Sequence, residues 1–200
     1  MEYIKDPDEI YKLSFATIKA EAELHHIPSS LQSVIVRMIH ACGVVNIAQN
    51  FAWQGENFSI PPNAPILCDC EMLTHGIIKR YLRGNPVICT LNHPDIPNLA
   101  QKLNTTRSAA ALELWRDHLD QGAIVAIGNA PTALFRLLEL VASGVRPPLL
   151  TLGFPVGFVG AAESKEALIE SQLPALALKG RMGGSAIAAA ALNALLALED

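Results

Sequence analysis

Charge is scarce in this chain: Asp, Glu, Lys and Arg together make up 17% of its 200 residues, and aromatic residues only 6%. Acidic groups outnumber basic ones 19 to 15, so the formal net charge is −4. That balance supplies no basic field to gather nucleic acid or an anionic membrane surface, and neither is expected as a partner. An acidic ligand has to be held by local donors instead. Long apolar runs are missing too: no span reaches the ~18 residues of a membrane helix. The nearest, residues 186–198, is Ala-rich and interrupted by Asn193, and reads as a packed helix. The opening Met-Glu-Tyr-Ile-Lys-Asp shows no basic stretch followed by an apolar one, so a cytoplasmic protein is expected.

Cysteine is sparse and badly spaced for metal. Cys42, Cys68, Cys70 and Cys89 contain no Cys-x-x-Cys pair and are expected to stay reduced. Cys68 and Cys70 could be joined on paper with Asp69, His75 and His93. Small buried cysteines on a strand account for them better, and no metal is expected. Three catalytic signatures are also absent. No Gly-x-Gly-x-x-Gly follows the first strand, no Gly-Lys-Ser/Thr closes residues 180–185, and no Gly-x-Ser-x-Gly elbow occurs. Hydride and phosphoryl transfer therefore drop down the list, a nucleotide-dependent oxidoreductase staying only as a third reading in which no NAD binding is expected, and nothing marks acyl transfer.

What is abundant is aliphatic. Half the residues are hydrophobic, gathered into short continuous runs at 66–70, 87–91, 123–127, 149–152 and 175–178, alternating with helical patterns. Such runs belong to strands buried on both faces. The sequence therefore predicts one domain over residues 1–200: a three-layer α/β/α fold with a mainly parallel five-stranded sheet. Ahead of the sheet, Asp6-Pro7-Asp8-Glu9 opens a helix to about residue 24, with Ile10, Leu13, Ala16, Thr17 and Ala20 as its packing face. Ser14 lies in its middle. A second helix follows Pro28, then a short helical pattern through residue 51 and loop over 53–64. Residues 71–82 and 106–119 read as further helices.

The second helix carries the chemistry. At about 100° per residue, Leu31, Val34, Ile35, Met38 and Cys42 form one apolar stripe, and His40 projects almost opposite it. Arg37 is three residues before His40 and so its neighbour on that outer face. A cation beside an imidazole can bind an acidic substrate and move a proton; a solvated surface pair is the alternative. Glycine-rich loops at 128–132, 153–160 and 180–185 all follow strands; any one of them reads as a tight turn, but the three together, with Arg181 in the third, could cradle anions with the free amides of helix starts. Arg107, behind the Thr106 cap, is either a carboxylate fork or a solvated side chain. Trp53 and Trp115 read as packing residues.

Seven blocks then carry a resemblance. They are Arg-Met-Ile-His-Ala-Cys-Gly (37–43), Pro-Ile-Leu-Cys-Asp (65–69), Val-Ile-Cys-Thr-Leu (87–91), Thr-Arg-Ser-Ala-Ala-Ala-Leu (106–112), Ala-Ile-Gly-Asn-Ala-Pro-Thr-Ala-Leu-Phe (126–135), residues 153–165 and Gly-Arg-Met-Gly-Gly-Ser-Ala (180–186). In order and end to end, the chain resembles the precorrin-8X methylmutase family. The resemblance implies an isomerase of cobalamin biosynthesis, moving a methyl group from C-11 to C-12 of the corrinoid ring to give hydrogenobyrinate, or cobyrinate when the substrate bears cobalt. It implies His40 as proton donor and acceptor, and Ser14 and Arg37 as substrate contacts. It also implies a homodimer with the site at the subunit interface, and no cofactor beyond any cobalt in the substrate. A corrinoid carrier that delivers product without turnover is the competing class; an imidazole kept beside Arg37 and Ser14 favours the enzyme.

Overall fold

Asp6 begins the first helix as its sequence promises, its carboxylate accepting from the amides of Asp8 at 2.9 Å and Glu9 at 3.0 Å, with Pro7 as first helical residue. In the computed structural model, which describes residues 1 and 3–197, this helix is α1 (Pro7–Glu21). It packs on α2 (Ser29–Cys42), which ends where Gly43 turns left-handed at φ 69°. A 3-10 segment, Val45–Asn50, leads to β1 (Phe51–Gln54). Then come β2 (Ile66–Cys68), α3 (Glu71–Gly76), β3 (Val87–Ile88), α4 (Ile96–Lys102), α5 (Arg107–Ala111) and α6 (Arg116–Asp120). The rest alternates strictly: β4 (Ile124–Ile127), α7 (Pro131–Ala142), β5 (Leu150–Gly153), α8 (Ala161–Glu170), β6 (Ala175–Leu178) and α9 (Ser185–Ala197).

The strands form one sheet in the order β1-β6-β5-β4-β2-β3, parallel except where β1 pairs antiparallel with β6. Period-2 alternation then divides the interior. Ile66, Ile124, Leu150 and Leu176 pack with α2 and α9 on one face. Leu67, Val125 and Ala175 pack with Trp115 and the leucines of α7 on the other. The three-layer, mainly parallel fold is as the sequence predicts.

The sheet has six strands rather than five, and the sixth corrects two readings at once. Residues near 51 form an edge strand, not the end of a helix, and Trp53 and Gln54 are in it rather than in a loop. Four residues are too few to show a period. What makes them a strand is a partner more than a hundred positions away, with Phe51 opposite Leu178 and Gln54 opposite Ala175. Two helices are also shorter than predicted. The 71–82 pattern breaks at Gly76, where α9 presses so close that an added Cβ would stand 2.7 Å from that of Ala189. Buried Asn193 serves the break, accepting from the Ile78 amide at 2.8 Å and donating to the Gly76 carbonyl at 2.9 Å. The 106–119 pattern divides into α5, a 3-10 turn and α6. Strand β3 keeps only two of its five predicted residues.

Candidate active site

The packing face of α1 is not the predicted one. Ile10 and Leu13 are 45% and 47% exposed; Tyr11 (itself 42% exposed), Ser14 and Phe15 lie against side chains of α2, and Ile18 is buried. Those four positions are spaced i, i+3, i+4, i+7, so they too make a helical stripe. Two stripes compete in this sequence, and the one carrying the aromatic rings faces α2.

That choice places α1 against His40. The Ser14 hydroxyl lies 2.8 Å from Nδ1 of His40. The rings of Tyr11 and Phe15 flank the imidazole at centroid distances of 5.1 and 5.4 Å. Arg37 donates from Nη1 to the Tyr11 hydroxyl at 3.2 Å, its guanidinium 5.9 Å from both aromatic rings. The three residues singled out from sequence (Ser14, Arg37, His40) thus meet in one cluster. His40 is exposed, and among the described residues Nε2 has no hydrogen-bond partner. A hydroxyl both donates and accepts, so Ser14 can support either imidazole tautomer and leave Nε2 free to give or to take a proton. Arg37 also lines a groove of about 600 Å³ with Phe15, Lys19, Gln32, Ser33 and Ala194.

A further pair, which the sequence did not bring forward, borders this cluster. Arg80 donates to the Tyr81 hydroxyl at 3.4 Å and lies 5.1 Å from the ring centre. Arg80 holds the Tyr81 phenol below its usual range, and Arg37 adds to the effect.

The glycine loops divide. In the first, the amides are already occupied: buried Asp69 accepts from Gly128 and Asn129 at 2.9 Å and from Ala130 at 2.8 Å. This is where the strand order reverses between β2 and β4, the usual ligand crevice of an open α/β sheet, and the protein's own carboxylate occupies these amides. Burial raises the Asp69 carboxyl, against the pull of those three amides. Of the two readings open for 128–132, the structural one holds: the loop is a joint closed by Asp69. The second and third loops are tied to each other, Gly157 N to Arg181 O at 3.2 Å and Gly184 N to Phe154 O at 2.8 Å. Arg181 lies over the Phe158 ring at 5.0 Å. Beneath them Lys165, buried in α8, donates to the Met182 carbonyl at 2.6 Å, and desolvation lowers its amine to about 8. Arg107 holds a loop, donating to Leu91 O at 3.2 Å and to Asn92 Oδ1 at 3.4 Å.

The comparisons with known proteins bear directly on this arrangement. The family model for precorrin-8X methylmutase matches residues 9–198. The chain belongs to the precorrin-8X methylmutase family. A precorrin-8X methylmutase of Pseudomonas aeruginosa is 51% identical over 98% of this chain and 97% of its own. A cobalt-precorrin-8 methylmutase of Methanocaldococcus jannaschii is 38% identical, covering 82% of this chain and 78% of its own. Among solved structures, precorrin-8x methyl mutase from Thermus thermophilus superposes with a TM-score of 0.82 at 36% identity, over 96% of this chain and 95% of that one. A methylmutase moves a methyl group within one molecule, so the chain is an isomerase, of cobalamin biosynthesis. The cluster of Ser14, Arg37 and His40 lies wholly inside the matched methylmutase region.

Proposed function

We propose that the chain converts precorrin-8X to hydrogenobyrinate, moving the ring methyl from C-11 to C-12, with His40 as the proton donor and acceptor. The observation that carries this reading is the Ser14–His40 contact at 2.8 Å, which fixes one ring nitrogen and leaves the other open. Methyl migration within a conjugated ring transfers no net electrons. What the protein has to do is position the macrocycle, protonate it so that the ring becomes electron-poor, and recover the proton afterwards. No resident cofactor or metal is called for by that balance; cobalt, where present, arrives inside the substrate. The relatives of higher identity carry the metal-free name, which supports precorrin-8X over its cobalt counterpart.

A homodimer completes the site in this reading. The groove at Arg37 is small for a carboxylate-fringed macrocycle, and large apolar side chains stand open on two elements. Phe158 and Val159 are 86% and 88% exposed on the loop after β5, and Ile10 and Leu13 of α1 also face outward. A second subunit covering such a surface would supply the missing wall. Among the described residues no helix is long and apolar enough to cross a membrane; we assign the enzyme to the cytoplasm.

The test is spectral. Isomerisation changes the conjugation of the ring, so wild-type protein should convert the visible spectrum of precorrin-8X to that of hydrogenobyrinate. His40→Ala should lose ~10²- to 10⁴-fold in turnover, the range for a removed acid–base group, while still binding the ring. Near-normal turnover in that variant would remove His40 from the mechanism. Cobalt-precorrin-8 in a parallel assay decides between the two substrates.

A further inference from the structure

We propose that Arg80 and Tyr81 form, with Arg37 and Tyr11, a carboxylate-binding subsite that grips one acidic side arm of the corrinoid. The inference rests on the corrinoid reading of the function. Its ground is an arrangement of two guanidinium–phenol pairs drawn from separate parts of the chain. Tyr11 is on α1 and Arg37 on α2; Arg80 and Tyr81 come from the 3-10 turn Lys79–Tyr81.

Each pair has the same internal chemistry. Arg37 donates to the Tyr11 oxygen at 3.2 Å, and Arg80 donates to the Tyr81 oxygen at 3.4 Å. In both, the phenol oxygen is the acceptor, so its own O–H remains to be given to something else. A guanidinium carries five N–H donors in a flat fork, and one spent on a phenol leaves the others. The pairs also act on one another: Arg37 contributes to the lowering of the Tyr81 phenol, and Arg80 interacts electrostatically with Tyr11. A phenol made more acidic is a stronger donor to an anion.

Charge balance points the same way. Among the described residues, neither Arg37 nor Arg80 has a carboxylate within 4.0 Å, whereas Arg116 and Arg136 share Glu113 at 2.9 and 2.5 Å. On a protein of net charge −4, two arginines grouped with phenols and without an acidic partner present donors that an incoming carboxylate would satisfy. A phosphate would fit the fork too, but the ligand of this family is fringed with carboxylates.

The experiment measures binding of hydrogenobyrinate, and of the same ring with its side-chain carboxylates converted to amides. The proteins are wild type, Arg80→Ala, Tyr81→Phe and the distant control Lys102→Ala. The proposal expects about 3- to 30-fold weaker binding of hydrogenobyrinate by Arg80→Ala and about 2- to 10-fold by Tyr81→Phe, the range for charge-assisted hydrogen bonds at a solvent-facing site. The Arg80 penalty should vanish with the amidated ring and shrink in high salt. Hydrogenobyrinate binding within twofold of wild type in both variants, or an equal penalty with the amidated ring, would overturn the subsite while leaving the methylmutase reading in place. Wild-type protein that binds neither ring would overturn both. Thermal melting of each variant separates lost contact from lost fold.

Discussion

Ser14 and His40 are 26 positions apart in sequence and meet at 2.8 Å, hydroxyl to Nδ1, across the packed pair α1 and α2. A single serine near the middle of a helix thereby holds an imidazole by one nitrogen while the other stays open.

That contact should appear as coupling. Ser14→Ala is expected to lower turnover about tenfold by freeing the ring to rotate. In the double variant with His40→Ala, the serine change should add almost nothing, because residues that act as one unit are non-additive. Rate constants for the four proteins of the cycle check this. Multiplicative losses would mean that Ser14 acts on the substrate independently of His40.

Asp69 should behave as a structural joint. Asn in its place puts an amide donor where Oδ1 or Oδ2 now accepts from the backbone, leaving at least one buried N–H of residues 128–130 unsatisfied. Loss of such a bond costs about 1–3 kcal/mol, and for a chain of this size Tm should fall by about 2–12 °C. Calorimetry of Asp69→Asn measures it; an unchanged Tm would show that the amides find other acceptors.

Lys165 gives a pH prediction whose sign is fixed by burial. Its amine is lowered to about 8 in the folded protein. Between that value and the ordinary lysine range the unfolded chain holds a proton that the native state does not, so stability rises with pH there. Below about pH 8 the cost of burying the charge is fully present. Compared with Lys165→Met, which cannot titrate, wild type should gain about 2–4 °C of relative Tm between pH 7.5 and 10. A flat difference would mean that the ammonium is still solvated.

The outward stripe of α1 predicts an assembly effect. Leu13→Asp places a charge on a surface that a second subunit would cover and should shift the protein toward monomer in sedimentation equilibrium. If the proposed dimer forms the site, turnover should fall in the same concentration range as its subunits dissociate. An unchanged dimer would move the interface elsewhere, with the exposed Phe158–Val159 tip the next surface to test.

How much of this was legible follows from the range of the forces involved. Local chemistry is written in consecutive residues: the Asp6–Pro7 start and Gly43 stop of the helices, the Thr106 cap bonded to the Ala109 amide at 3.2 Å, the buried runs that became β2 and β4–β6, and Arg37 and His40 side by side on the outer face of α2. The family resemblance pointed to Ser14 as well. Only tertiary packing decided the rest, because it turns on free-energy differences between distant partners. It selected the aromatic stripe of α1 over the aliphatic one, made a strand of residues 51–54 by giving them β6, and broke the 71–82 helix where Asn193 satisfies the gap. It also filled the first glycine cradle with Asp69, whose carboxylate comes from the neighbouring strand end some 60 residues earlier. An amide cradle reads the same in sequence whether it waits for a ligand or already holds a side chain, since its donors are backbone and its acceptor can come from any part of the chain.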